Sequence, residues 1–175
     1  MDYRCKAANR EELLKRWEYL ISINPEDHRW AGFRESALKL YDEKSAICYL
    51  GFLNGEIICE ATAYIKDSAF IGDISDPSGL LNDQMSYLAA FRTNKEFEGK
   101  GYFSILYRFV ENDLKRRGYT ELSLGVGPEA VRNMEIYFHL GFRTYIKTLV
   151  QYKPSILDPA VREEDVILFY KKKIG

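Results

Sequence analysis

The sequence has few of the residues that build disulfide frameworks and metal sites. Among its 175 residues are three cysteines, Cys5, Cys48 and Cys59, and two histidines. The cysteine number is odd, no C-x-x-C pair occurs, and no cysteine lies beside a histidine. A disulfide scaffold and a zinc site are therefore both poorly supported, and we expect no metal.

Strong net charge and long apolar stretches are also missing. The formal net charge is −1, which argues against a dedicated nucleic-acid-binding protein. No apolar run approaches the length that crosses a bilayer, and the N-terminal residues do not resemble a signal segment. We therefore predict a reduced cytoplasmic protein with neither a membrane nor a nucleic-acid partner.

The hydrophobic share of the chain is high enough for a packed core. Hydrophobic residues make up 46% of the sequence and aromatic residues 14%, which argues against disorder. A chain of this length commonly folds as one domain, and no repeat, linker or low-complexity segment interrupts it. We therefore predict a single domain over residues 1–175.

Two common nucleotide-binding motifs are absent as well. A P-loop requires Gly-x-x-x-x-Gly-Lys-Ser/Thr, and the sequence contains no such run. A dinucleotide fingerprint requires a glycine three residues after Gly101, where the sequence has Ser104. The acidic residue expected after the next strand is missing too, because that strand ends in Leu124-Gly125-Val126-Gly127.

The most informative stretch that is present spans residues 85–119. Residues 85–93 are apolar and aromatic and predict a strand. A polar loop follows and ends in Glu98-Gly99-Lys100-Gly101. Residues 102–117 then carry apolar side chains at the spacing of one helix face, and Gly118 is suited to end that helix.

Glycines at a strand-to-helix turn favour binding of a phosphate. Without Cβ atoms the backbone bends sharply and lets another group approach closely. The first amides of the helix have no partner inside it and carry the positive end of the helix dipole. Lys100 adds a positive charge. A tight turn that binds nothing is an equally good interpretation of these glycines alone.

The whole chain predicts an α/β (α+β) fold. Helices are predicted after Asn9, which with Glu12 forms a capping-box pattern, around residues 30–41, at 102–117, and at 128–140 with Pro128 in the first turn. Asn54-Gly55 is a strong hairpin signal. The order predicts a mixed, mostly antiparallel central sheet with helices on both faces. Strands are predicted at residues 3–7, 45–53, 56–66, 85–93, 120–126, 142–152 and 166–172.

Two segments resemble the GNAT superfamily of N-acetyltransferases. The run Glu98-Gly99-Lys100-Gly101-Tyr102-Phe103 is similar to the acetyl-CoA loop of that family, Arg/Gln-x-x-Gly-x-Gly/Ala, with Glu98 and Phe103 departing from it. Residues 133–142 are similar to the family helix that ends in Leu-Tyr-x-x-x-Gly-Phe. The resemblance covers about residues 85–145 and implies an acyl-CoA N-acyltransferase fold that uses acetyl-CoA as co-substrate.

The resemblance also implies where acetyl-CoA binds. Main-chain amides of the loop would surround the pyrophosphate, and the side chain of Glu98 would point to solvent. The end of the central strand would receive the pantetheine arm, and a main-chain amide there would polarise the thioester carbonyl. The residues implied in cofactor binding are Phe91, Arg92, Thr93, Glu98, Gly99, Lys100, Gly101, Tyr102, Phe103, Ser104 and Asn133.

Tyr137 is the catalytic residue that the resemblance implies most directly. It occupies the tyrosine position of the second motif, where the hydroxyl faces the thioester sulfur. A phenol, with an ordinary pKa of about 10, can protonate a thiolate leaving group. The competing interpretation is a helix residue that packs its ring.

Glu60 is the best candidate for the general base that deprotonates the acceptor amine. It lies in an apolar strand and is expected to share a face with Ile58, Thr62 and Tyr64; burial would make its carboxylate a stronger base. An edge-facing, solvated Glu60 is the alternative. The weaker candidates are Asp73, Asp76 and His28.

Two functions from different classes follow. The first is an N-acetyltransferase that moves acetyl to a primary amine of a small molecule or peptide. Transfer would be direct, in a ternary complex, because no cysteine has an activating partner. The second is a non-catalytic acyl-CoA-binding or sensor domain on the same fold. A homodimer is left open.

Overall fold

The computed structural model of the protein describes residues 2–70, 74–155, 157–158 and 160–175. Within these residues the chain forms seven strands and four α-helices. No helix in this part of the chain is both long and apolar enough to cross a membrane. The helices are α1 (Arg10–Ser22), α2 (Arg29–Asp42), α3 (Tyr102–Arg116) and α4 (Val131–His139). The strands are β1 (Tyr3–Ala7), β2 (Ala46–Leu53), β3 (Glu56–Tyr64), β4 (Met85–Thr93), β5 (Glu121–Val126), β6 (Thr144–Pro154) and β7 (Arg162–Lys173).

The strands form one sheet in the order β1-β2-β3-β4-β5-β7-β6. β4 and β5 run parallel, joined through α3, and the other neighbouring pairs are antiparallel. The predicted mixed, mostly antiparallel sheet is therefore confirmed. The one parallel pair lies at the centre, next to the glycine-bearing loop that precedes α3.

Helices cover both faces of the sheet, as predicted. Side chains alternate along β2, so Leu50 and Phe52 pack with α1 while Tyr49 and Leu53 join the larger cluster under α3. Burial of these apolar side chains is the main stabilising contribution to the fold. The helix residues that complete the two clusters are Leu13, Trp17 and Leu20 of α1 and Leu106, Val110 and Leu114 of α3.

Local sequence signals form the turns they predict. The side chain of Asn9 accepts a hydrogen bond from the backbone N–H of Glu12 at 2.9 Å, and the Glu12 carboxylate accepts one from the N–H of Asn9 at 3.0 Å. This capping box starts α1. Asn54 and Gly55 have φ values of 50° and 91°, the left-handed pair that a two-residue hairpin turn requires.

Two element boundaries differ from the prediction by three or more residues. The helix α4 begins at Val131, so Pro128 is not in its first turn. The N–H of Ala130 instead donates to the carbonyl of Gly127 at 3.1 Å, which closes a separate turn before the helix. β7 begins at Arg162 rather than at residue 166, because it forms a hairpin with β6 that continues past the end of β5.

The prediction that Ile58 shares a face with Glu60 is wrong, because β3 contains a bulge. Gly51 pairs with Cys59 and Phe52 pairs with Ile57, so Ile58 is the extra residue in the ladder. Ile58 therefore packs in the cluster under α3, and Ile57 packs on the face that α1 covers.

Candidate active site

The centre of the sheet opens where β4 and β5 diverge. The two strands pair only over residues 85–88 and 121–124. Beyond that point residues 89–93 of β4 follow β3, whereas β5 stays paired with β7 along its length. Within the described residues, the β5-facing edge of β4 is thus left without ladder partners beyond Leu88.

A bulge in β4 lies at the point of divergence. The register with β3 shifts between Glu60 and Thr62, and Ala90 has a φ of 53°. A non-glycine residue in the left-handed region is uncommon and marks a strained backbone. The bulge changes the direction of the β4 main chain. It lies where the family resemblance implies that a main-chain amide polarises the thioester carbonyl.

The glycine loop before α3 presents unpaired amides. Gly99 and Gly101 have φ values of 72° and 83°, and Gly101 caps the N-terminus of α3. The backbone N–H groups of Gly99, Lys100, Gly101, Phe103 and Ser104 donate no hydrogen bond to any described residue. These donors and the dipole of a 15-residue helix suit a pyrophosphate.

Charged side chains near the loop leave the amides accessible. Lys100 extends over the ring of Phe97, with its Nζ 5.6 Å from the ring centroid. Glu98 is exposed to solvent, consistent with the expectation for its side chain. The hydroxyl of Tyr3 donates to the carbonyl of Tyr102 at 3.0 Å, which attaches the start of α3 to β1.

Three aromatic side chains bring the predicted cofactor and acid residues together. The ring of Phe91 on β4 lies 5.3 Å from that of Phe103 on α3 and 5.8 Å from that of Tyr137 on α4, measured between centroids. The sequence-predicted strand, loop and second motif therefore meet at one place, beside the diverging strands.

Tyr137 combines a half-buried ring with a hydroxyl that forms no hydrogen bond to any described residue. Burial raises the pKa of its phenol above the ordinary value. The group therefore remains protonated at neutral pH, as a general acid must before it donates. Asn133 is exposed one turn earlier on α4.

A shallow cleft of about 320 Å³ separates the start of α3 from α4. Because it adjoins the loop amides and the helix of Tyr137, it offers a path for an extended ligand from the loop toward the diverging strands. Its lining residues are Phe103, Ser104, Glu135, Ile136, His139 and Leu140.

A larger cavity of about 570 Å³ lies on the opposite face of the sheet, between α1, α2 and strands β2 to β4. Glu60, Thr62 and Tyr64 line it together, as the alternation along β3 predicted. Ala89 and Ala90 line it too, so the cavity reaches the bulge from the face that α3 does not cover. A volume of this size is typical of a small-molecule site.

Glu60 is buried at the inner wall of this cavity, with 3% of its surface exposed. Its Oε2 accepts a hydrogen bond from Nε of Arg16 at 2.7 Å, and its Oε1 accepts one from Nη1 of Arg92. The alternative of an edge-facing, solvated Glu60 is therefore wrong. Both carboxylate oxygens already face a guanidinium, so a substrate amine would compete with them for the carboxylate.

Arg16 is a member of the site that sequence reasoning missed. It is 1% exposed, and its Nη1 donates to Oδ1 of Asn94 at 2.6 Å. The signal was present in the sequence, because Arg16 shares the apolar stripe of Leu13, Trp17 and Leu20 at helical spacing. A charged residue within such a stripe predicts a buried partner.

Arg92 directs its side chain away from the predicted cofactor cleft. Alternation along β4 places Phe91 in the cluster under α3, where the Cys59 thiol also donates to Oγ1 of Thr93 at 3.5 Å. Arg92 lies on the opposite face, with Cζ 5.4 Å from the ring of Trp17 and 5.3 Å from that of Trp30. The side chain of Arg92 therefore lies on the face opposite the cofactor cleft. The predicted role of Arg92 in cofactor binding stays a prediction that would involve its main chain.

Cys48, Cys59 and Asp76 are poorly suited to act as nucleophile or base. Burial raises the pKa of the Cys48 and Cys59 thiols, which therefore remain protonated and weakly nucleophilic. Asp76 is exposed, and hydrogen bonds from Ser78 and Lys147 lower its pKa to about 2. Asp73 lies outside the described residues.

Comparison with known proteins identifies the family. The sequence pattern of the Acetyltransferase (GNAT) family matches residues 12–142, which include the glycine loop and the helix of Tyr137. The chain belongs to the GNAT acetyltransferase family. No curated protein sequence matches this GNAT chain significantly.

Solved structures share the GNAT fold at low sequence identity. The ribosomal-protein-S18-alanine N-acetyltransferase of Escherichia coli is 15% identical with a TM-score of 0.67, covering 99% of this chain and 95% of that chain. A GNAT acetyltransferase of Streptococcus pneumoniae is 14% identical with a TM-score of 0.66, covering 99% and 100%. A structure from Salmonella typhimurium, solved with its cofactor acetyl-CoA, is 11% identical with a TM-score of 0.65, covering 100% and 95%.

Proposed function

We propose that the protein is an acetyl-CoA-dependent N-acetyltransferase that moves acetyl directly to a primary amine of a small molecule or peptide. The observation that carries this proposal is the bulged end of β4. It lies between the amide-lined loop and Tyr137 on one face of the sheet and a 570 Å³ cavity on the other. Two ligands could thus meet at the bulge from opposite faces.

Acetyl-CoA would supply an activated thioester. The unpaired amides from Gly99 to Ser104 would hold the pyrophosphate, and the main chain of β4 beyond Leu88 would receive the pantetheine arm. An amide near Ala90 would polarise the carbonyl oxygen, a contribution that typically lowers a barrier by about 3 kcal/mol. The exposed side chain of Asn133 could bond the arm from α4.

Tyr137 would act as general acid toward the leaving thiolate. Its ring contact with Phe91 supports this role, since Phe91 belongs to the strand that would receive the arm. The absence of a competing hydrogen bond from the described residues leaves the hydroxyl proton available for transfer.

Two observations at Glu60 bear on the general base. Glu60 lines the acceptor cavity, which favours the predicted role, but its two ion pairs favour a structural one. We retain Glu60 as the candidate base, acting through a water in the cavity rather than by direct contact.

The buried thiols support direct transfer over an acyl-enzyme.

The ion pairs of Glu60 with two arginines also favour the second candidate function, which is an acyl-CoA-binding or sensor domain without catalysis. Glu98 and Phe103, which depart from the family loop, point the same way. Cytoplasmic location stays a prediction, and a homodimer stays open.

A thiol-release assay with acetyl-CoA and a panel of small and peptide amines tests the proposal. We expect acceptor-dependent release of coenzyme A, with acetyl-CoA binding seen by calorimetry. Tight binding of acetyl-CoA without release for any amine would instead support the sensor domain.

A further inference from the structure

Arg92 lines the larger cavity and has side-chain hydrogen-bond donors that no described residue uses. Its side chain is 30% exposed and lines that cavity. Nη1 donates to Glu60, whereas Nε and Nη2 donate to no described residue. Every buried side-chain nitrogen in the described part of the chain has a hydrogen-bond partner, so Nε and Nη2 each keep some solvent exposure. Together they form one edge of the guanidinium fork, which fits an anion bidentately.

The orientation of this edge is fixed by neighbouring groups. Trp17 and Trp30 lie on the same side of the guanidinium, because their ring centroids are only 6.1 Å apart while each is more than 5 Å from Cζ of Arg92. Glu60 holds Nη1 in place. A donor that is already oriented loses little entropy when it binds a ligand.

The charge of the surroundings also favours an anion. Arg16 and Arg92 both pair with Glu60, so two guanidinium groups face one carboxylate and the cluster keeps a positive charge. The remaining charged residues that line the cavity, Lys39 and Glu43, pair with each other at 3.8 Å. They leave the excess charge of the cluster uncompensated.

The spacing suits a small molecule that carries both an amine and an anionic group. Ala90 and Arg92 line the same cavity two residues apart on β4, which is at most about 6.6 Å because Ala90 lies in the bulge. An amine directed at the bulge would therefore bring an anionic group of the same small molecule within reach of the Arg92 side chain.

We infer that the acceptor is an amine with an anionic group, a carboxylate or a phosphate, which the Nε–Nη2 edge of Arg92 binds. This inference rests on the proposed function, which supplies acetyl-CoA as the other reactant. It assigns Arg92 to acceptor selection rather than to the cofactor. The class includes amino acids and amino phosphates, and excludes simple alkylamines as good acceptors.

Matched pairs of amines test the selection. Phenylalanine is compared with phenethylamine, and β-alanine and phosphoethanolamine with propylamine, by kcat/KM for thiol release. The anionic member of each set should be favoured by about 10- to 100-fold, the effect of a hydrogen bond to a charged group. β-Alanine and phosphoethanolamine distinguish carboxylate from phosphate. Equal rates for anionic and neutral members would overturn the inference.

Variants identify Arg92 as the source of the preference. Arg92→Gln should remove the preference, and Arg92→Lys, which keeps the charge but not the fork, should retain a small part of it. Lys15→Gln makes the same charge change on the exposed side of α1 and should leave the preference unchanged. If Arg92→Gln slowed both members of a pair equally, Arg92 would be a structural residue only.

A binding measurement separates this inference from the proposed function. The chain has two tryptophans, and both contact Arg92, so tryptophan fluorescence reports on the site without any transfer. Phenylalanine or phosphoethanolamine should change the emission of the wild-type protein and not that of Arg92→Gln. If this result were found without thiol release for any amine, the anion site would stand and the transferase would fail. Unchanged emission with both probes would overturn the anion site.

Discussion

Replacement of Gly101 by valine is the most direct test of the cofactor loop. Gly101 has a φ of 83°, and no heavy atom lies within 4 Å of the position where a Cβ would be. The new side chain would therefore fit the unliganded protein without a clash. Its left-handed backbone would still cost about 1–2 kcal/mol of folding stability, and the branched side chain would project into the open space above the loop.

The expected loss of acetyl-CoA affinity follows from the amides on either side. Relaxation of φ at residue 101 would turn at least one amide away from the pyrophosphate. A hydrogen bond to a charged group contributes about 1.5–3 kcal/mol, and 1.4 kcal/mol corresponds to tenfold. We expect affinity for acetyl-CoA to fall by at least tenfold, measured by calorimetry, with folding checked by urea denaturation.

Gly118→Val is the matched control. Gly118 also has a positive φ, 97°, with no atom within 4 Å of its Cβ position. It follows the opposite end of α3, about 22 Å away for 15 residues at 1.5 Å each. The control should lose a similar amount of stability and keep its affinity. Unchanged affinity in a folded Gly101→Val protein, or an equal loss in both variants, would refute the assignment of the loop.

Three further outcomes are expected. Tyr137→Phe should lower kcat about 10²- to 10⁴-fold with stability and acetyl-CoA affinity nearly unchanged; a variant as fast as wild type would make Tyr137 a packing residue. Because burial raises the pKa of Tyr137, the alkaline fall in kcat that its deprotonation causes should begin only above about pH 10; a fall near pH 8 that disappears in Tyr137→Phe would contradict this. Glu60→Gln should lower the free energy of unfolding by about 3 kcal/mol or more, since it leaves two guanidiniums without their carboxylate. Unchanged stability would contradict this ion-pair reasoning, and a large loss of kcat in the folded variant would support Glu60 as the base.

The local parts of the fold could be read from the sequence because their causes are local. The capping box at Asn9, the left-handed turn at Asn54-Gly55 and the apolar stripe of α3 each depend on residues close in the chain. The conformation of the glycine loop could also be predicted from nearby residues. Its two positive φ values follow from Gly99 and Gly101, and the free amides follow from a helix that starts there.

The bulge in β4 could not be predicted in the same way. It requires Ala90, a residue with a Cβ, to adopt a left-handed conformation, and nothing in the residue type indicates it. It coincides with the register shift against β3 and with the end of pairing between β4 and β5. Such tertiary constraints regularly override local preference.

The buried cluster of Arg16, Glu60 and Arg92 shows a different limit. Its members are separated by 44 and 32 positions in the chain, so their contact depends on strand register and helix placement. The apolar setting of Glu60 predicted burial correctly, but not its partners. The family resemblance grouped Arg92 with Phe91 and Thr93, whereas alternation along a strand alone would have separated their side chains.

Direct acetyl transfer from acetyl-CoA to an amine can be tested by one mass measurement. The protein is incubated with acetyl-CoA and an anionic amine, and the masses of the amine and of the intact protein are both determined. We expect the amine to gain one acetyl group and the protein to gain none. An acetylated protein cysteine would contradict direct transfer, and an unmodified amine throughout the panel would contradict the transferase itself.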